Sequence, residues 1–281
     1  MSIFPTKVLL ATDGSKEADL AATTAADLAE KTNSELHIVT VSEDPYLATD
    51  FALHFPEAAE RHRQEVREEV QALLDRQVER VQEAGRKVAQ THLKVGRADD
   101  KIVSLAEEVG AGLVVMGSRG QGGIRRALMG SVSSSVVEHA PCPVMVVRAE
   151  AVEFPTKILV ATDRSREAQL GATTAADLAK STNSELHIVH VGFEQRRDEA
   201  QKELDTEVDM IRESGAQDTQ AHLEFGMPDT AIIDLAEELG AGLIVMGSRG
   251  LGGVRRALLG SISDSVVRHA PCPVMVVRQE E

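Results

Sequence analysis

Two stretches of the chain hold residue types that could do chemistry at a fixed spacing. Val114 to Ser133 reads VVMGSRGQGGIRRALMGSVS, and Ile244 to Ser263 reads IVMGSRGLGGVRRALLGSIS. In each, an apolar run of strand character ends at a glycine, Gly117 or Gly247. A second glycine follows at Gly120 or Gly250, and then a Gly-Ser pair at Gly130-Ser131 or Gly260-Ser261. A helix-compatible segment opens there with hydroxyls at Ser131, Ser133 and Ser134, or Ser261 and Ser263. Glycine lets backbone amides come close to a ligand, and a helix start offers unpaired N–H groups and the positive end of a dipole. Glycines at a strand end followed by a helix start suit the phosphates of a nucleotide. No lysine follows Gly130 or Gly260, so neither copy is a P-loop, and no G-x-G-x-x-G opens a helix after the first strand. The plainer alternative, a glycine-rich loop that only turns the chain, loses ground because the pattern occurs twice.

Other reactive side chains support less. Asp13 and Asp163 each follow an apolar strand, and no Asp, Glu or His recurs beside them to complete a catalytic pair. They read as acceptors for ribose hydroxyls or as helix-cap residues ahead of general bases or metal ligands. Arg119, Arg125 and Arg126, with Arg249, Arg255 and Arg256, either screen phosphate oxygens or form a salt-bridge set at a domain interface. His139 and His269 sit at a helix C-terminus, where the dipole favours them for structural reasons. His187 and His190 have one counterpart in the first half, His37, because Thr40 stands opposite His190. A metal pair is therefore not expected there. Cys142 and Cys272, one per half within HAPCPVMVVR, read as small buried residues, since no second Cys lies near either.

These residues need elements to position them, and a repeat supplies the elements. FPTKVLLATDGSKEADLAATTAADLAEKTNSELHIVTV begins at Phe4, and its near copy begins at Phe154. Downstream the offset shrinks, as Gly85/Gly215, Gly117/Gly247 and Cys142/Cys272 show, so the first half carries about 20 extra residues after its second strand. Apolar runs predict strands at Lys7–Thr12, Leu36–Val41, Val88–Val95, Leu113–Met116 and Val144–Val147. Helices are predicted at Glu17–Lys31 capped by Ser15, at Pro56–Ala84 closed by Gly85, at Ala98–Val109 and at Ser131–His139. The second half follows suit, with Pro228 opening its third helix. The charged helix from Pro56 is a solvated face over the sheet, although its charge could serve a partner. Strand–helix alternation with buried strands means a parallel sheet covered on both faces, whose ligands bind beyond the strands' carboxyl ends. The expected domains are 1–149 and 154–281, packed together because the linker between them is short.

Composition narrows the function. The chain has 281 residues, 42% hydrophobic, with 2% aromatics, no Trp and one Tyr. Cores must rest on aliphatic residues, and stacking platforms for single-stranded nucleic acid are not expected. A net charge of −15, which repels polyanions, argues the same way against nucleic acid. No apolar run approaches the roughly 18–20 residues of a membrane span. The N-terminus lacks a signal-peptide pattern, and the cysteine usage suits a reducing compartment, so a cytoplasmic protein without membrane insertion is expected.

The G-x-x-G, nine residues, G-S spacing, the ATDxS turn after the first strand and the PCPVMVV final strand resemble the universal stress protein family of the ATP-binding type, twice over nearly the whole chain. The resemblance implies two tandem α/β, Rossmann-like domains of the adenine nucleotide α-hydrolase-like kind. Each would be a five-stranded parallel sheet with helices on both faces, paired through their last strands. It implies ATP, with Mg or Mn, as ligand. Ala11, Thr12 and Asp13 would line the adenosine pocket, Val41 would meet adenine through its backbone, and Met116, Gly117 and Gly120 would flank ribose and α-phosphate. Gly130, Ser131, Val132 and Ser133 would hold the outer phosphates. The second set is Ala161, Thr162, Asp163, Val191, Met246, Gly247, Gly250, Gly260, Ser261, Ile262 and Ser263. One departure is Arg164 in the place of Gly14, which either strains a turn that needs positive φ or adds a cation near phosphate.

The leading expectation is a non-catalytic ATP-binding regulator of the stress response, a homodimer of tandem chains with a protein partner. A slow ATPase or phosphotransferase is the alternative from another class, against which stands the lack of a catalytic base, a P-loop lysine or an arginine finger. A nucleotide-free interaction module is the third. The extra segment around Tyr46–Phe55 starts on the ligand rim and reads as a lid over the first nucleotide, with an interface segment as the plainer choice.

Overall fold

The computed structural model describes residues 4–43, 54–120, 129–148, 156–213, 216, 218–250 and 259–278. The first half runs β1 (Lys7–Ala11), α1 (Lys16–Lys31), β2 (Glu35–Ser42), α2 (Pro56–Glu83), β3 (Gln90–Val95), α3 (Ala98–Val109), β4 (Leu113–Gly117), α4 (Ser131–His139) and β5 (Val144–Val147). The second runs β6 (Lys157–Thr162), α5 (Arg166–Thr182), β7 (Glu185–Gly192), α6 (Arg197–Glu213), β8 (Gln220–Phe225), α7 (Pro228–Leu239), β9 (Leu243–Gly247), α8 (Ser261–His269) and β10 (Val274–Val277). Among the described residues no helix is long and apolar enough to cross a membrane.

Local chemistry sets the ends of these elements. Ser15 and Ser165 cap α1 and α5, each hydroxyl accepting from the amide three residues on at 3.2 Å. Pro56 and Pro228 stand in the first turns of α2 and α7, where a missing N–H costs nothing. The cap of α2 is Ala84 rather than the expected Gly85, which follows it.

The ten strands of the described residues form one sheet, in the order β3-β2-β1-β4-β5-β10-β9-β6-β7-β8. Strands are parallel within each half. At the centre β5 and β10 pair antiparallel, with Val144 opposite Val276, Met145 opposite Met275 and Val146 opposite Val274. Met145 and Met275 are equivalent residues of the repeat, so a local two-fold axis passes through that pair. The union of last strands implied by the resemblance is made here within one chain.

Helices α1, α2, α5 and α6 cover one face of the sheet and α3, α4, α7 and α8 the other. Alternate strand residues feed alternate cores: Val8, Leu10 and Ile38 face the first, Leu9, Val39 and Val114 the second. Both cores run across the β5–β10 seam. With few aromatics available, small side chains close the layers, and Ala21, Ala22, Ala25, Ala26 and Ala29 of α1 are all buried.

The extra residues of the first half are partly helical. The α2 helix has 28 residues and α6 has 17. When Leu74 is matched to Leu204, the stretch from Pro56 to Val66 has no α-helical counterpart in the second half. The expected lid lies almost wholly outside the described residues, which resume at His54.

Candidate functional site

The strand order reverses between β1 and β4, and the crevice beyond their carboxyl ends is where the chain gathers its glycines and Asp13. After β1 the backbone turns sharply. Thr12 Oγ1 accepts from the Gly14 amide at 3.2 Å, and Asp13 Oδ1 accepts from the Ser15 amide at 3.0 Å. The other oxygen of Asp13, Oδ2, is pressed against Gly120, where an added Cβ would overlap it. Glycine at 120 is therefore a steric requirement of the carboxylate's position. Ser15 ties the same loop down by donating to Arg119 O at 3.3 Å.

The helix start is held just as firmly. Ser133 Oγ donates to Gly117 O at 2.9 Å, and the Gly130 amide donates to Ser118 O at 2.8 Å, so α4 begins against the end of β4. Gly130 is the cap residue and offers no side chain to the first turn. The amides of Ser131, Val132 and Ser133 have no carbonyl within the helix to bond. They and the dipole are chemically suited to an anion.

All eleven first-half candidates, from Ala11 to Ser133, line a single cleft of about 1080 Å³. Its glycine and hydroxyl end lies at β4 and α4. Its other end is apolar, formed by Val39 and Val41 of β2, Ile102 of α3, and Val66, Val70 and Leu73 of α2. The α2 wall escaped the reading of the sequence, which looked for a cover in Tyr46–Phe55. The signal was present as an apolar stripe at helical spacing in an otherwise charged helix. Arg119 also lines the cleft while its Nη2 bonds Glu17 Oε1 at 3.0 Å. It is thus both a salt-bridge residue and a charge at the glycine and hydroxyl end. Burial first, and then Arg119 and Arg268, hold the Arg148 guanidinium below its ordinary pKa, while Glu17 opposes the shift. Arg125, Arg126, Arg255 and Arg256 lie outside the described residues.

The second half repeats the scaffold. Asp163 Oδ1 accepts from the Ser165 amide at 2.9 Å, Gly250 presses on Asp163 Oδ2, and Ser263 Oγ donates to Gly247 O at 2.9 Å. Gly260 caps α8, leaving the amides of Ser261, Ile262 and Ser263 in the first turn. Ala161, Thr162 and Met246 are buried at the strand ends and Val191 is half-buried at the end of β7. The wall differs. Val66, Val70 and Leu73 are matched by Arg196, Ala200 and Glu203. Arg164 adopts φ 66°, so the turn does demand a positive φ, and its guanidinium pairs with Glu203 of α6. That bond holds the Glu203 carboxyl below the usual range. The cation is engaged by α6, not offered to phosphate.

A profile of the universal stress protein family matches this chain twice, over residues 5–148 and 155–278. The chain belongs to the universal stress protein family. A curated Staphylococcus aureus (strain USA300) protein named for that family is 37% identical over 140 residues, which span 44% of this chain and 84% of the relative. A universal stress protein from Archaeoglobus fulgidus, known from its crystal structure, aligns with TM-score 0.74 at 28% identity, covering 97% of this chain and 98% of its own. A Pseudomonas aeruginosa protein of unknown function shares the fold, with TM-score 0.67 at 21% identity over 99% of this chain and 93% of its own. Both structural matches run across the two halves of this chain.

Two histidine pairs in this universal stress protein went unseen in the sequence. His37 Nδ1 lies 3.1 Å from His92 Nε2, and His187 Nδ1 lies 3.0 Å from His222 Nε2. Each pair bridges a sheet-edge strand to its neighbour. The recurrence of His92 at His222 was the available signal. Burial is the leading cause that lowers the pKa of His92, His187 and His222. His190 bonds instead to Thr162 O at 3.1 Å. His139 and His269 end α4 and α8, each Nδ1 2.8 Å from the carbonyl four residues back. Cys142 and Cys272 are buried and unbridged, and burial pushes the Cys272 thiol up to about 12.

Proposed function

We propose that this universal stress protein binds ATP and acts as a non-catalytic regulator whose state follows nucleotide supply. The first cleft carries the reading. An apolar end suited to a base, a carboxylate in the middle, and a glycine-framed helix start at the far end match the order base, ribose, phosphates. In this reading the Val41 backbone meets adenine, Asp13 takes the ribose hydroxyls, Met116, Gly117 and Gly120 flank ribose and α-phosphate, and Gly130 to Ser133 hold the outer phosphates. The equivalent residues from Ala161 to Ser263 serve a second nucleotide, one in each of the domains 1–149 and 154–281. Among the described residues no cluster of three or more His, Cys, Asp or Glu side chains is suited to a metal. Mg²⁺ or Mn²⁺ would arrive on the phosphates and screen their charge.

Binding to one arrangement of the chain stabilises that arrangement by mass action, which is how ATP level would reach a protein partner. A dimer of chains would need a surface other than β5 and β10, because those strands pair with each other.

Denaturing freshly purified protein and identifying the released nucleotide tests the reading. ATP at one to two per chain is expected. Gly120→Ala, which forces Asp13 aside, should weaken the first site by at least about tenfold, or 1.4 kcal/mol. ADP alone, with phosphate release on added ATP, would move the protein to the enzymes. No nucleotide after incubation with ATP and magnesium would overturn the proposal.

A further inference from the structure

Between α5 and α6 the second half holds a half-open cavity of about 410 Å³ that no residue of the glycine motifs lines. In the first half the matching groove is bridged. Asp19 of α1 accepts from Gln77 Nε2 of α2 at 2.6 Å and pairs with Arg80 of the same helix. In the second half these three residues become Gln169, Glu207 and Met210, all of which line the cavity. The bridge is gone and the space remains.

Glu207 is the unusual member. It is only 7% exposed, and its Oε1 accepts from the Thr162 hydroxyl at 2.7 Å. Its Oε2 is buried and has no hydrogen-bond partner among the described residues. A buried carboxyl oxygen left without a donor is costly, and a ligand that supplies one recovers that cost. The charged residues lining the cavity are Glu199, Glu203 and Glu207 against Arg164 and Lys202, and Arg164 is already engaged by Glu203. Ala172, Met210 and Ile211 supply apolar surface beside the uncharged polar Gln169, Thr173 and Thr206. A cation on a short hydrocarbon stem fits both features, whereas an anion would meet excess negative charge.

We propose that this cavity binds a small aliphatic amine, whose ammonium group donates to Glu207 Oε2 while its methylenes lie against Ala172, Met210 and Ile211. The site adjoins the second nucleotide cleft, with Glu203 and the Thr162 hydroxyl at their border, and contains none of the glycine motif.

The chain carries its own control, because the first half shows which residues close the groove without loss of fold. Titration with n-butylamine, followed by heat and by the methyl resonance of Met210, should saturate at one per chain with a Kd of about 1 mM, as suits so few heavy atoms. Glu207→Gln, the first half's own residue, should weaken binding at least about tenfold. Met210→Arg, again the first half's residue, should abolish it by filling the space, while nucleotide content stays as in the parent. Absence of saturation in the parent protein, unchanged binding in both variants, or equally tight binding of n-butanol would each overturn the proposal.

Discussion

Gly14 and Arg164 occupy the same turn, at φ 75° and φ 66°, and the helix beside each turn explains how one chain holds both residues. In the first half a Cβ on Gly14 would come 2.8 Å from Leu73 Cδ1. In the second, Leu73 is replaced by Glu203, which leaves room for a side chain and receives its charge. A non-glycine residue in the left-handed region costs about 1–2 kcal/mol. The half-exposed Arg164–Glu203 pair returns about 0–1 kcal/mol, so the exchange is close to neutral. The backbone of the repeat has been kept while its side chains changed as a set. The groove between α1 and α2 is closed by Asp19, Gln77 and Arg80, and the groove between α5 and α6 is not.

The largest expected effect comes from disrupting one set. Gly14→Arg alone should destabilise the protein by about 2–4 kcal/mol, strain and overpacking together. Adding Leu73→Glu should restore part of that loss. Urea unfolding of the single and double variants measures both; a neutral single variant would show that the contact with Leu73 does not govern the turn.

A second test moves the wall. Val66→Arg, Val70→Ala and Leu73→Glu together give the first cleft the second half's residues. We expect nucleotide affinity there to fall by about tenfold, mostly through a faster off-rate. Stopped-flow displacement reads the rate, and an unchanged one would remove α2 from the account of the site.

The histidine pairs distinguish the halves in a different variable. In the second half both His187 and His222 lie below the ordinary imidazole pKa, and in the first half His92 does. Unfolded histidines protonate near pH 6.5 while these folded ones stay neutral, so the unfolded state binds more protons below that point. Stability is thus independent of these groups above about pH 6.5 and falls as pH drops below it, until the folded pKa values are reached. His222→Gln should flatten the decline between about pH 6.5 and 5 more than His92→Gln does. Equal slopes in all three proteins would clear the pairs of any role in acid sensitivity.

The smallest effect is expected from Arg164→Gly. It relieves the strained φ and loses the pair with Glu203, leaving stability within about 1 kcal/mol of the parent. A larger loss would mean that Arg164 supports more of the second half than its turn.

Much of this was legible in the chain itself. The duplicated motifs, the buried apolar runs and the caps at Ser15 and Ser165 depend on residues within a few positions of one another, so spacing alone placed α3, α4 and β5 correctly. The eleven first-half candidates, named from the family resemblance, line one cleft because each of them sits at the end of a strand or the start of a helix. Contacts between distant positions were settled elsewhere. His37 meets His92 only because β2 and β3 are neighbours. Val66 and Leu73 reach the cleft only because α2 packs over the sheet's rim. Arg164 was ambiguous until α6 presented Glu203. Local periodicity and backbone chemistry were enough to set the repeat, the elements and the motif that faces the ligand rim. That the two halves join through Met145 and Met275, and that one groove is bridged while its copy is open, came from the folded arrangement. Those outcomes depend on which side chains packing brings together.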